Sequence, residues 1–266
     1  MQACKLPMVD IHSHVLPGLD DGPRRMDESL RMCELYVAQG VATVVATPHM
    51  CNALFDEVTA EMVRQGAERL AEACRKRGLE LAVIPGGEVR LQPELMEMLD
   101  AGEVLTLGDS GRYMLLELPN QVVPRIERLV FELALRGITP VLSHPEHNLE
   151  FRRSPGRLAE LVEYGCLVQV SADCLLGAFG RVARRAAARF VSSDLVHVVA
   201  SDAHSASGRR RPQFDHAARL LGGMVGEDRA CRLLCTNPGR IVRGESLGPL
   251  AASEDVGHLT AKRAQC

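Results

Sequence analysis

MVDIHSHVLPGLDDGPRRMDESLRMCELYVAQGVATVVATPH, residues 8–49, contains the unit from which the fold is read. Apolar residues crowd 8–12 (MVDIH) and 42–48 (ATVVATP), each run short enough for a strand. Between them, 26–39 repeats its apolar positions at helical spacing, and Gly40 falls just after it, where a C′ residue takes positive φ. Strand, helix and strand in that order imply a crossover, and crossovers make the strands parallel.

The pattern continues. Apolar runs at 81–86, 113–118, 138–143, 166–171 and 196–201 bring the expected strands to seven. Helical stretches are expected at 56–77, 92–100, 124–136, 155–164, 178–193, 212–222 and 227–234, and Gly78, Gly137 and Gly165 punctuate as Gly40 does. The runs are nearly continuous rather than alternating, which fits strands buried on both faces. A barrel of (β/α) units is the simplest closure, with an open doubly wound sheet as the alternative. Residues 1–244 read as one domain, and 245–266 lack periodicity and read as a loosely held tail.

Composition narrows the function. Among 266 residues, 31 Lys and Arg stand against 34 Asp and Glu, with signs interspersed, so no basic patch suits nucleic acid. No run of about 18 apolar residues can insert into a membrane, and the charged Asp10 arrives before a signal peptide could form, so a cytoplasmic location is expected. Nine cysteines without a CxxC pair read as reduced thiols. With no Trp and 3% aromatic residues, ligands are expected to be gripped by charge rather than stacking.

The ionisable residues cluster at strand ends. His12 and His14 close the first run, His49 the second, and Glu88 follows the third; Glu117 ends the fourth, His144 the fifth, and Asp202 and His204 the last. In a parallel barrel these ends converge on one face, so the residues should meet in space. Imidazole and carboxylate ligands without cysteine suit Mn²⁺, Fe²⁺ or catalytic Zn²⁺. Such a multinuclear cluster lowers the pKa of bound water and neutralises charge on a phosphoryl group, which suits hydrolysis by attack of a metal-bound hydroxide on phosphorus. Arg209 and Arg210 follow the last ligands in SDAHSASGRRRP, where a guanidinium could clamp phosphate. Cysteine-based phosphatase chemistry is excluded, since no cysteine begins Cys-x₅-Arg; Cys235 to Arg240 is one residue short, and Asn237-Pro238-Gly239 reads as a helix-ending turn. His197 reads as a packed strand residue, and His216 and His258 receive no role.

DIHSHVLPGLDDGPRRMDESL, VATPH, PGGEVRL, LTLGDSGRYMLLELP, TPVLSHPEHN and VASDAH, in that order, resemble the polymerase-and-histidinol-phosphatase (PHP) superfamily. More closely they resemble its CpsB/CapC branch of manganese-dependent protein-tyrosine phosphatases. The resemblance implies a distorted (β/α)7 barrel holding three Mn²⁺. His12, His14, Glu88 and Asp202 would hold the first, Glu88 would bridge to a second at Glu117 and His144, and His49, His204 and Asp21 would hold the third. Asp21 is preferred to Asp20 because the superfamily's ligand directly precedes a Gly, here Gly22. The implied substrate is phosphotyrosine on a bacterial tyrosine kinase that controls exopolysaccharide or capsule synthesis.

Two departures stand out: His147 occupies a position where the family usually has Arg, and Gly87 one where it often has Gln. Either His147 replaces the Arg as a donor or leaving-group acid, or the substrate differs. A small-molecule phosphatase acting on histidinol phosphate or nucleotides is therefore the second reading, and a non-catalytic regulator that binds a kinase is the third. Whether the chain forms a homo-oligomer is left open by the sequence.

Overall fold

The structure, a computed structural model, describes residues 6–247. The unit read first forms as β1 (Met8–Ser13), α1 (Met26–Ala38) and β2 (Val41–Ala46). It is followed by β3 (His49–Met50), α2 (Ala60–Lys76), β4 (Ala82–Pro85), β5 (Glu88–Arg90), α3 (Leu95–Asp100), β6 (Tyr113–Glu117), α4 (Glu127–Leu135) and β7 (Thr139–Leu142). Then come α5 (Leu149–Arg153), α6 (Pro155–Glu163), β8 (Leu167–Ser171), α7 (Ala172–Leu176), α8 (Gly180–Ser192), β9 (Val198–Ala200), α9 (Phe214–Val225), α10 (Glu227–Cys231) and α11 (Asn237–Val242). Helix boundaries follow local chemistry. α2 starts later than its apolar pattern because Thr59 Oγ1 accepts the Met62 N–H at 3.2 Å and caps it there. α1 and α4 end before Gly40 and Gly137, whose φ values are 81° and 73°.

Among the described residues nine strand segments, all parallel, run in the orders β1-β2-β4 and β3-β5-β6-β7-β8-β9; seven match the expected runs, and β3 and β5 lie just beyond the expected 42–48 and 81–86. The second and third strands are each broken in two. Thr47-Pro48 separates β2 from β3, and Gly86-Gly87 separates β4 from β5. A Cβ on Gly86 would lie 2.7 Å from Val45 Cγ1, and one on Gly87 2.4 Å from Met50 Sδ, so the close approach at the break favours glycine. The ends of the sheet meet: Ser13 bridges Ala203 in parallel, Asp202 N–H donates to His12 O at 2.9 Å, and His14 N–H donates to Ala203 O at 2.9 Å. The curled sheet therefore returns on itself as a distorted barrel rather than lying open.

Two apolar layers hold this shape. A large one packs crossover helices on the strands, with Leu30, Met32, Val63, Leu70, Phe151 and Phe190 buried in it. A smaller one, Val9, Ile11, Leu115, Val141, Val198 and Ala200, faces away from those helices and is closed by Leu107 and Ile241.

The structure corrects three details. Asn237-Pro238-Gly239 does not end a helix; a π turn over Arg232–Thr236 carries the chain into α11, which holds Pro238 in its first turn. α7 grows directly from the end of β8, where the apolar run masks the change of period. Cys231 is disulfide-bonded, whereas Cys33, Cys51, Cys74, Cys166, Cys174 and Cys235 are free. Of the expected tail, Glu245 accepts from Tyr113 Oη at 2.6 Å, while 248–266, with His258, lie outside the described residues. No helix among the described residues is long and apolar enough to cross a membrane.

His197 is packed, accepting the Val168 N–H on Nδ1 at 3.1 Å, and burial pushes its pKa down to about 4. A histidine kept neutral when folded but protonated when unfolded leaves stability intact above about pH 6.5 and removes it as pH falls toward 4. The expected loss is on the order of 3 kcal/mol. Urea unfolding from pH 7 to 4 should show this extra loss in the wild type relative to His197→Gln.

Candidate metal centre

The strand ends bring the expected residues together around Glu88. Its Oε1 lies 2.7 Å from His144 Nε2 and 3.5 Å from His12 Nε2. Its Oε2 lies 2.9 Å from His49 Nδ1 and 3.7 Å from His14 Nε2. Asp202 Oδ1 sits 3.5 Å from His12 Nε2 and 3.6 Å from His14 Nε2. Asp21 Oδ1 sits 3.1 Å from His204 Nε2 and 3.5 Å from His49 Nε2. Potential ligand atoms within 4.8 Å of one another form four overlapping groups: His14, Asp21, His49 and His204; His12, Glu88 and His144; His12, His14 and Asp202; and His49, Glu88 and Glu117. Glu117 thus groups with His49, and His144 with His12, where the resemblance pairs Glu117 with His144.

The donor chemistry calls for cations. Glu88 Oε2 and Glu117 Oε2 are buried without a hydrogen-bond partner among the described residues, the close approach of His49 lacking the geometry for one. His12, His14 and Glu88 are almost inaccessible to solvent, where unpaired polar groups are costly. Burial opposes protonation of His144, but the Glu88 carboxylate overrides it and lifts the pKa to about 10. His49 likewise rises to about 10, through Asp21 and Glu88 against its burial. Burial and then His204 push His14 down to about 4. Asp202 falls to about 2, because the surrounding imidazoles outweigh its burial. An arriving cation thus displaces protons from His144 and His49 at neutral pH, whereas His14 and Asp202 already offer free lone pairs.

Two of the convergent side chains hang from left-handed backbone: His144 at φ 30° and Asp202 at φ 55°. Such conformations cost a non-glycine residue about 1–3 kcal/mol and persist where surrounding structure enforces them.

A second layer, which the sequence did not single out, holds this arrangement. Asp20 Oδ2 lies 2.6 Å from His14 Nδ1 and accepts the His49 N–H at 3.1 Å, while Oδ1 accepts the Gly22 N–H at 3.0 Å. Adjacent aspartates therefore divide the work, Asp20 orienting His14 and Asp21 facing His49 and His204. The turn needs Gly22, since a Cβ there would lie 2.2 Å from the His14 carbonyl oxygen. Gln169 Oε1 lies 3.0 Å from His12 Nδ1 and accepts the His144 N–H at 3.3 Å. Beneath them, buried Asp10 accepts from Tyr36 Oη at 2.8 Å, Ser201 N–H at 3.0 Å and His12 N–H at 3.2 Å. Asp10 and Gln169 had a signal, each being an isolated polar residue inside an apolar strand run. Asp20→Ala should weaken Mn²⁺ binding about 10- to 100-fold by calorimetric titration, because it frees the His14 ring.

The flanking residues divide. Arg210 Nη1 donates to Asp21 Oδ2 at 2.9 Å, and its Nη2 contacts His204 Nε2. Arg209 is exposed and bonds the Ala178 carbonyl at 3.5 Å rather than a member of the cluster. His147 packs edge-on against His144, with ring centroids 5.5 Å apart, and against Phe179 at 4.9 Å. Burial and then His144 push its pKa down to about 4, so it is neutral at pH 7 and offers one N–H in place of a guanidinium's charge. Arg90, unremarked in the sequence, donates to Glu117 Oε1 at 3.0 Å.

A parallel α/β barrel whose strand ends gather five histidines and four carboxylates has the scaffold of a metal-dependent phosphatase. The chain belongs to the CpsB/CapC family of capsular polysaccharide synthesis, whose model matches residues 8–243. It is 39% identical over 203 residues to the tyrosine-protein phosphatase YwqE of Bacillus subtilis, covering 76% of this chain and 79% of that one. It is 32% identical over 241 residues to the tyrosine-protein phosphatase CpsB of Streptococcus pneumoniae, covering 88% and 98%. A crystal structure from the pair YwqE and CpsB, metal-dependent tyrosine phosphatases, superposes with a TM-score of 0.85 at 34% identity, over 92% of this chain and all of that one.

Proposed function

We propose that the chain is a metal-dependent protein-tyrosine phosphatase of the cytoplasm, acting on a phosphotyrosine-bearing bacterial tyrosine kinase in capsule or exopolysaccharide synthesis. The observation that carries this is the convergence of His12, His14, Asp21, His49, Glu88, Glu117, His144, Asp202 and His204 at one barrel mouth in a chain of this family. These nine would hold up to three ions, with Glu88 shared. Mn²⁺ is the assignment that the family resemblance implies, and the imidazole–carboxylate set without cysteine suits Fe²⁺ or Zn²⁺ as well. Bound ions of this kind lower the pKa of water and neutralise phosphoryl charge.

The chain's own residues supply the rest. Glu88, Asp202 and Asp21 fix the imidazoles by charge, while Asp20 and Gln169 fix their rings from behind. Arg210, held beside the cluster by Asp21, would be the guanidinium that takes phosphate oxygens. Phe55 stacks on His49 at 5.4 Å, and Phe179 packs on His147, so apolar rings flank the mouth where a phenyl group can rest. Residues 1–244 act as one catalytic unit in this reading. His147 in place of Arg favours one second reading, a small phosphoester as substrate.

The test compares initial rates on a phosphotyrosine peptide, a phosphoserine peptide and histidinol phosphate, with Mn²⁺ and after chelation, using His144→Ala as control. Metal-dependent preference for phosphotyrosine is expected. Faster turnover of histidinol phosphate would move the assignment to the small-molecule reading, and no turnover with any of the three metals would end it.

A further inference from the structure

Beside the metal centre lies a second cluster, of which the proposed reaction leaves Glu146 and Cys174 unused. Glu146 and His147, on the turn after His144, meet Cys174 of α7, so that a carboxylate oxygen, an imidazole nitrogen and a sulfur lie within 4.8 Å of one another. Cys174 Sγ is 3.2 Å from His147 Nε2. Glu146 is fully buried; its Oε1 accepts the Ser171 N–H at 2.8 Å, and its Oε2 has no hydrogen-bond partner among the described residues.

As a purely protein arrangement this is poorly satisfied. Two acceptors, a buried carboxylate and a neutral imidazole, compete for one thiol proton, and S–H is a weak donor. A buried carboxylate oxygen left over carries a desolvation cost. A divalent cation would satisfy all three at once. With Zn–S near 2.3 Å and Zn–N near 2.05 Å, a tetrahedral site puts sulfur and nitrogen about 3.6 Å apart, within a small adjustment of the spacing seen.

We propose that Glu146, His147 and Cys174 form a separate, sulfur-containing site for a thiophilic divalent cation of the zinc class, whose occupancy commits the His147 nitrogen beside the active-site mouth. The sulfur makes the two sites select different metals. Thiolate favours zinc-class ions over Mn²⁺, while the main cluster contains imidazole and carboxylate alone. Binding involves no redox change: the thiol proton leaves to solvent as the sulfur–metal bond forms. Because His147 stands 5.5 Å from the His144 ring, a zinc-class ion at this site inhibits the Mn²⁺-loaded protein by occupying the His147 nitrogen at the edge of the mouth rather than by displacing Mn²⁺.

Cobalt titration of the Mn²⁺-loaded protein tests this, because Co²⁺ bound through thiolate gives a near-ultraviolet charge-transfer band and Co²⁺ bound through imidazole and carboxylate does not. A band saturating at one Co²⁺ per chain, bleached by Zn²⁺, is expected in the wild type. It should vanish in the near-isosteric Cys174→Ser, and Co²⁺ affinity should fall about tenfold or more in His147→Asn. Absence of the band in folded wild-type protein, its survival in Cys174→Ser, or unchanged affinity in His147→Asn would overturn the proposal. The spectroscopic readout is independent of catalysis, so it separates failure of this site from failure of the phosphatase reading.

Discussion

Glu88→Ala is expected to lower kcat/KM on a phosphotyrosine peptide by about 10³-fold, roughly 4 kcal/mol of lost transition-state stabilisation. The reason is its position. Its two oxygens approach His12, His14, His49 and His144, and Ser143 Oγ donates to it at 2.9 Å, so no other carboxylate contacts as many of the convergent imidazoles. Truncation removes the shared anion and leaves neighbouring imidazoles to repel one another once protonated. Glu88→Gln should fall nearly as far, because it keeps the shape but turns one oxygen into a donor facing nitrogens. Metal analysis beside kinetics makes the result specific: both variants should retain fewer ions per chain. Activity within tenfold of wild type would show that Glu88 is not the shared ligand.

Asp10→Ala acts on the barrel seam instead. Asp10 gathers the Tyr36 hydroxyl, the Ser201 N–H and hydroxyl, and the His12 N–H, all buried. It thereby ties the first strand to the segment after the last, directly below His12 and Asp202. Removing it leaves several buried donors unsatisfied, at about 1–3 kcal/mol each, partly offset because Tyr36 Oη also reaches Ser13 and Ser201 Oγ. The expected net cost is about 4 kcal/mol, or roughly 10 °C in melting temperature for a chain of this size. Thermal unfolding followed by circular dichroism in excess Mn²⁺ and in chelator should show the loss in both conditions. An unchanged melting temperature would mean that the Ser13–Ala203 bridge and its flanking backbone bonds hold the seam alone.

Much of this was legible in the sequence because two periodicities and one chemical coincidence agree. The seven apolar runs became seven strand positions, since strands buried on both faces have few ways to hide their identity. Eight of the nine candidate ligands were visible because ionisable residues at the ends of apolar runs have few structural reasons to recur; Asp21 was reached only through the family resemblance. The strand breaks were not legible, because Pro48 and Gly86-Gly87 read equally well as ordinary strand ends. Nor was the division of labour between Asp20 and Asp21, which depends on the direction of a turn set by Gly22. Arg209 and Arg210 looked equivalent in a run of three arginines, and the path of the loop decides that Arg210 meets Asp21 while Arg209 turns to Ala178.

The meeting of the first and last strands also sets an order of assembly. His12 and His14 are synthesised about 190 residues ahead of Asp202 and His204. The contacts between them have the longest sequence separation in the site, and contacts of that kind form late. Until the last strand docks, the nascent chain offers incomplete ligand sets that would hold an ion weakly, so the full complement of metal would be acquired only once Asp202 and His204 reach the first strand. A chain stalled before Asp202 would thereby be catalytically silent by construction.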